Sequence, residues 1–524
     1  MSFDQSEHYY QLGLGLLRQG QPELALQRFL EASRADSTNA APGLRAIDLL
    51  GELDRPQEAI LLSRDLFSRY RDDGMELILS CPLPAIPAHS DDVDAALAFY
   101  EERLSDIAKR PGLRIEQPHL CQPKGHFLLP YHDRPVKQLR EAQAALFLKA
   151  HPELAYAAPH VSTGNQPGKR PRLGVVSSLL AAHTVGMITV PLLSSLIRHG
   201  IDLHLFLASP AEDAQLAGLK AEAAACTLLP QDLAQARQTI AASRLDALLY
   251  PEIGMDPFVY CLAFARLAPL QLMMWGHPMT SGLSSIDGFI SSHLIEPQGA
   301  DAHYTERLIR LPVMPIVTAD HLLPDPPSRA SLGLAENKRL YVCPQSPFKL
   351  SPAFDRALAG ILAADPEGEI VLLEGQKPGW KDRLLARLAP HLGENKDRLR
   401  FLPRLDRISF LGLLANADVL LDPFGFSGGN TSAEALANGT PIVTLPGRTM
   451  AGRVTLGFLG MLRIDDTVAV DEADYIRLAV ATAKAKAQYR ARLLAAGPLL
   501  FGLDKAARLL ADVFANPQAL ESRR

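Results

Sequence analysis

The sequence predicts an α/β fold, two Rossmann-like halves behind an all-α region of helical repeats. Three observations predict it. Short apolar runs alternate with helical stretches from Arg172 onward, a Pro-rich break (LPDPPS, 323–328) divides those runs into two series, and a related segment recurs near the start of the chain. With 524 residues and 47% hydrophobic content, the chain is too long for one core and too apolar for disorder.

The recurring segment is GQPELAL, with Pro22 and Ala25, which returns as DRPQEAI, with Pro56 and Ala59, at an offset of 34 residues. That offset is the tetratricopeptide period. Around each copy apolar residues sit at helical spacing, Leu12, Leu16, Leu24 and Phe29, then Leu49, Leu50, Ile60 and Leu66, so residues 1–75 are read as helix–turn–helix hairpins. Two repeats need a neighbour to bury their open face; that face is either a partner-docking surface or a cap on the core. Residues 76–165 form a helical and linker region, helical over 92–157 but broken by PYHDRP at 130–135. Nothing in those residues names a task. The stretch PHVSTGNQPGKRP, Pro159–Pro171, marks a linker.

The first α/β half spans 172–322, with strands at Leu173–Val176, Leu203–Leu207, Ala247–Tyr250 and Leu270–Met274 and helical stretches such as Val190–Arg198 and Leu233–Ser243. The second spans 330–518, with strands at Leu340–Cys343, Ile370–Leu373, Leu399–Leu402, Val419–Leu421 and Ile442–Leu445. This alternation is βαβ grammar. Two such halves facing a cleft match the GT-B architecture, in which a nucleotide sits at the carboxyl ends of the second half's strands.

A formal charge of −5, from 53 Lys and Arg against 58 Asp and Glu, gives no broad cationic field for nucleic acid or an anionic membrane. The opening MSFDQSEHYY carries no signal-peptide pattern and no apolar run reaches the length of a span, so a cytoplasmic location is expected. Five scattered cysteines (Cys81, Cys121, Cys226, Cys261 and Cys343) have no metal-ligand spacing and read as small buried residues. No metal is expected: DDVD at 91–94 precedes an apparent helix, where acidic residues favour the helix N-terminus.

The most informative segment is LLDPFGFSGGNTSAEALANGTPIVTLPG, residues 420–447, in which a strand ends at Asp422 and a glycine-rich loop enters a helix near Thr431. Free N–H groups at a helix start bind a diphosphate. Gly428 and Gly429 let the backbone approach a ligand, and Asn430 and Thr431 add short polar side chains. Thr431 and Glu434 also have the spacing of a capping box, a purely structural use of both residues. Their place after a strand of the second half favours a ligand site, where a first-turn carboxylate reaches ribose hydroxyls.

This segment closely resembles the donor-binding region of the O-linked N-acetylglucosamine transferases and their bacterial relatives. RLGVVSSLLAAHTVGM (172–187), LAPLQLMMWGHPMTSGLSSID (267–287), HYTERLIRLP (303–312), CPQSPFKLSP (343–352) and LPGRTMAGRV (445–454) resemble further blocks in the same order, covering about 172–515. Bacterial adhesin N-glucosyltransferases are similar too, through IGM (253–255) and GHP (276–278). The resemblance implies that Lys349 neutralises the donor diphosphate, that Gln345 contacts phosphate or uridine with a spacing one residue longer than the family's, and that Arg407 is a basic residue on the uridine side. Phe410 falls where the human-type enzyme stacks a histidine on uracil, and a phenyl ring can stack as well; otherwise it is a helix-core residue. His183 matches a histidine near the sugar and acceptor hydroxyl, a general base or a plain hydrogen-bonding residue. His277 is expected to position substrate, aimed into the cleft by the turn at its Pro neighbour.

Asn430 stands where the nucleocytoplasmic enzyme has threonine and Glu434 where it has aspartate, so both GlcNAc and glucose remain open as the sugar. The implied activity is inverting transfer from a UDP-sugar, a substrate rather than a cofactor, to a protein or peptide acceptor, with neither metal nor cofactor. A polysaccharide, lipid or small-molecule acceptor is the second reading, and a non-catalytic repeat scaffold with a relict core the third.

Overall fold

The computed structural model describes residues 3–515 apart from 54, 71, 164–169, 315–324, 378 and 501–502. Leu323 and Pro324 of the expected break, and the centre of the expected 159–171 linker, therefore lie outside the described residues.

Four helices open the chain, Phe3–Arg18, Pro22–Ala35, Ala41–Glu52 and Pro56–Tyr70, each packed on the next. Proline begins the second and fourth, where its missing N–H goes unmissed. Phe29, Leu49, Leu50 and Leu66 are buried as the spacing requires, whereas Leu12 and Leu24 are exposed. So short an array leaves part of its apolar surface uncovered. Helices Ser90–Ala108 and Lys137–Ala150 follow, joined by a stretch that includes the 3₁₀ turn Lys124–His132. Of the DDVD residues, Asp92 accepts the His89 N–H at the helix start and Asp94 pairs with Arg134.

The first α/β half is a seven-stranded parallel sheet. Its strands are β1 (Arg172–Ser177), β2 (Asp202–Leu207), β3 (Ala225–Leu228), β4 (Ala247–Tyr250), β5 (Leu270–Met273), β6 (Gly288–Ser292) and β7 (Arg307–Leu311), in the order β3-β2-β1-β4-β5-β6-β7. The second is a five-stranded parallel sheet of β8 (Arg339–Cys343), β9 (Gly368–Leu373), β10 (Leu399–Leu402), β11 (Val419–Leu421) and β12 (Ile442–Val443), in the order β10-β9-β8-β11-β12. In each sheet the chain winds outward one way, then returns to start again beside its first strand. That reversal leaves a crevice at the carboxyl ends of β1 and β4 in one half and of β8 and β11 in the other.

The last described helix, Leu503–Ala515, leaves the second half and packs on Thr184–Arg198 of the first. There Asp504 meets His199 Nε2 at 2.9 Å, so the second stretch of sequence is not one spatial unit to its end. Among the described residues, no helix is long and apolar enough to cross a membrane. Four cysteines are buried, but Cys226 is exposed on the edge strand β3, against the expectation for all five.

Candidate active site

Between the halves lies a cavity of about 1590 Å³ that runs from the loops after β8 and β11 back to Glu23 and Asp48 of the opening helices. His183 and Gly254, after β1 and β4, line it from the first half, and Lys349, Gly429, Asn430 and Thr431 line it from the second.

On the second-half side, Asp422 ends β11 and is buried. Its carboxylate accepts Ser427 Oγ, the Gly428 N–H and Thr444 Oγ1, each at 2.7 Å. Burial pushes its carboxyl upward while those bonds hold it down. The loop so fixed enters the helix Asn430–Ala437 through Gly429, and the Asn430 and Thr431 amides at that start have no carbonyl a turn earlier to take. The two glycines differ. A Cβ on Gly429 would meet open space, whereas on Gly428 it would fall 2.3 Å from Ser432 Oγ; only Gly429 faces the cavity.

Lys349 stands across from this loop. Its Nζ donates to Gln345 Oε1 at 2.9 Å and sits 4.8 Å over the Phe426 ring. Among the described residues no carboxylate pairs with it, and loss of water lowers its pKa to about 8 against the opposing pull of Asp422. A partly dehydrated ammonium beside free helix-terminal amides is a site for a polyanion.

On the first-half side, His183 precedes the helix Thr184–Arg198, and its Nδ1 accepts the Val185 N–H at 3.1 Å. Burial lowers its pKa. Two carboxylates hold its loop from behind. Glu252 accepts Ser177 Oγ at 2.7 Å and the Ser178 N–H at 2.9 Å, while Asp213 accepts the Ala182 N–H at 2.7 Å. Glu252 is fully buried, and that burial raises its pKa to about 7.

Several predicted residues fall elsewhere. His277 is fully buried; its Nε2 meets the Phe127 carbonyl at 3.2 Å and its ring stacks on Phe127, 5.8 Å between centroids. The turn therefore aims it under the segment Lys124–His132 and not into the open cleft. Glu434, also buried, pairs with Arg407 Nη2 at 2.8 Å. Thr431 lies in the first turn rather than at the cap, which is Gly429, so the expected capping box is absent. Neither Arg407, Glu434, Phe410 nor Gln345 lines the cavity, and Phe410 is half-buried against the core. Gln345 touches the site through Lys349.

Sequence reasoning missed the aromatic wall. Tyr131 stacks on Phe426 at 4.2 Å between centroids and meets Phe348 edge-on at 4.8 Å, with Phe127 beside them. Only the break PYHDRP hinted that this stretch leaves the helical region to do something else.

Residues 326–496 match the family model described as Glycosyl transferase family 41. The chain is 28% identical over 227 residues to a probable UDP-N-acetylglucosamine–peptide N-acetylglucosaminyltransferase SPINDLY of Solanum lycopersicum, covering 41% of this chain and 23% of that protein. It is 26% identical over 262 residues to a UDP-glucose:protein N-beta-glucosyltransferase of Actinobacillus pleuropneumoniae, covering 47% and 40%. The match thus spans less than half the length of either relative. Among solved structures, a Thermobaculum terrenum O-GlcNAc transferase mutant superposes with a TM-score of 0.70 over 99% of both chains at 22% identity, so the whole chain, helical region included, shares that fold.

Proposed function

We propose that this chain, whose residues 326–496 match the family 41 model, is a cytoplasmic, metal-independent glycosyltransferase that moves GlcNAc or glucose from a UDP donor to a protein acceptor with inversion. The observation that carries the reading is Lys349, without a carboxylate partner among the described residues and facing the amides that open the helix Asn430–Ala437 across one cavity. Both relatives' names, one printing UDP-N-acetylglucosamine and peptide, the other UDP-glucose and protein, support the donor and acceptor classes.

In this mechanism an acceptor hydroxyl or amide nitrogen forms its bond to the anomeric carbon as the bond from that carbon to the β-phosphate oxygen breaks. Negative charge grows on the departing UDP, where Lys349 and the first-turn amides stabilise it more than in the ground state. The acceptor's proton goes to the leaving phosphate or to water. His183 offers its Nε2–H to the sugar or acceptor oxygen, since Nδ1 already accepts the Val185 amide. The cavity reaches the opening helices, which gives a peptide a path to the transfer point.

The test is UDP release by the purified chain with UDP-GlcNAc or UDP-glucose and host lysate, with intact-mass analysis and a Lys349→Ala control. Turnover lost in the control, with a hexose or N-acetylhexosamine mass on a protein, is the expected result. Release without a modified protein points to a glycan, lipid or small-molecule acceptor; neither release nor UDP binding points to a scaffold.

A further inference from the structure

The 3₁₀ turn Lys124–His132 and the residue after it lie outside both α/β halves in sequence but between them in space. Asp133 adopts a left-handed backbone, φ 52°, a conformation that Asp and Asn tolerate better than most residues. From there its carboxylate accepts four bonds from the turn after β12: Arg448 N–H at 2.9 and 3.0 Å, Thr449 N–H at 2.9 Å and Thr449 Oγ1 at 3.1 Å. That turn is locked to the donor loop by Ser427 N–H on the Ala451 carbonyl at 2.8 Å. The fit is close, because a Cβ on Gly425 would lie 3.1 Å from Asp133 Cβ and one on Gly447 3.0 Å from Asp133 Oδ1. Two residues earlier, Tyr131 covers one part of the Phe426 ring while Lys349 Nζ approaches the same ring. On its other side the segment is gripped by Arg134, which forks onto Asp94 of the helix Ser90–Ala108 at 2.7 and 2.9 Å.

We propose that Asp133, with Tyr131 beside it, is a positioning residue for the donor site: it sets the loop Gly425–Gly429 through the Arg448–Gly452 turn, so that the UDP site is completed by the helical region and not by the second half alone. The inference rests on the reading of that loop as the diphosphate site. It separates two grips of one segment. The Asp133 grip acts on the donor loop, whereas the Arg134 grip only anchors the segment to the helical region.

The experiment is calorimetric titration of UDP into the full chain and into Asp133→Asn, Asp133→Gly and Arg134→Ala, with amide hydrogen exchange of each. Gly and Asn both accept the left-handed backbone, so the changes fall on the carboxylate. Expected are a UDP Kd at least tenfold weaker for Asp133→Gly, a value between for Asp133→Asn, and a value within twofold of the unaltered chain for Arg134→Ala. Exchange at residues 427–430 and 448–449 should quicken most in Asp133→Gly, less in Asp133→Asn and not in Arg134→Ala. An unchanged Kd in Asp133→Gly overturns the proposal, as does an equal loss in Arg134→Ala, which would mean general anchoring. An unaltered chain that fails to bind UDP sinks the functional reading instead. Exchange then still decides: quickening at 427–430 upholds the loop-setting role, and no change overturns it.

Discussion

His183 Nδ1 accepts the N–H of Val185 at 3.1 Å, and this bond decides what the imidazole can offer the cavity. With one ring nitrogen used as an acceptor, the neutral ring keeps its proton on Nε2 and presents a donor. Burial lowers the pKa from its ordinary 6.5, so the neutral form persists below that pH. Replacing His183 with Ala should lower kcat about tenfold to a hundredfold, the scale of losing one hydrogen bond at developing charge. It should leave the Kd for UDP unchanged and remove no acidic limb below pH 6.5 from kcat/KM. A limb in that range, present in the unaltered chain and gone in the variant, would make His183 the base.

Lys349 carries the opposite pH signature. Its pKa is lowered to about 8 by loss of water, and the charged form is the one that binds a diphosphate. UDP affinity should therefore hold below pH 8 and fall about tenfold per pH unit above it. Calorimetry between pH 7 and 9.5 checks this. Lys349→Ala should weaken binding about tenfold to a hundredfold at pH 7, as for loss of a charge-assisted hydrogen bond, and should flatten the pH dependence.

Such residues differ in how far the sequence reveals them. β1, β2, β4 and β5 were legible as mostly apolar runs, because strands covered on both faces need them. β3, β6 and β7 were not: GFISS carries Gly and Ser, RLIRL alternates with Arg, and ACTL is a half-exposed edge. The loop Ser427–Thr431 was legible because glycines before a helix start are a local signal. The Asp133 grip was not, since its partner Arg448 lies 315 positions along the chain and only the fold brings them together. Glu434 read as a ribose-reaching carboxylate for the same reason: its contact with Arg407 is made across two helices.

Buried neutral histidines predict how the fold responds to acid. His277, packed against the segment that crosses the cleft, has its pKa lowered to about 4 by burial, and burial also lowers that of His126 within the segment. A lowered histidine contributes its stability in full above the unfolded value of 6.5, and that contribution drains away as pH falls from 6.5 toward about 4. For His277 the loss amounts to roughly 3 kcal/mol. The thermal midpoint should thus drop steeply between pH 6.5 and 4.5. His277→Asn, which cannot titrate but can still donate to the Phe127 carbonyl, should start lower at pH 7.5 and decline less. An equal decline in both would place the acid sensitivity elsewhere.

Asp422 joins the donor loop's shape to the charge of Lys349. Its carboxylate takes three donors at 2.7 Å, from Ser427, Gly428 and Thr444, and its negative charge is the leading influence that raises the Lys349 pKa against burial. Asp422→Asn keeps the size but turns an amide NH₂ toward groups that are themselves donors, so about 2 kcal/mol of stability should be lost. A second effect is separate from the first. Without the carboxylate, Lys349 loses its proton more readily, and the alkaline fall in UDP affinity should begin below pH 8 instead of at it. Thr444→Val removes one of the same hydrogen bonds but leaves the charge. It should lower stability while keeping the limb at its original pH, so displacement of the limb in both variants would show that loop shape, not charge, sets the lysine.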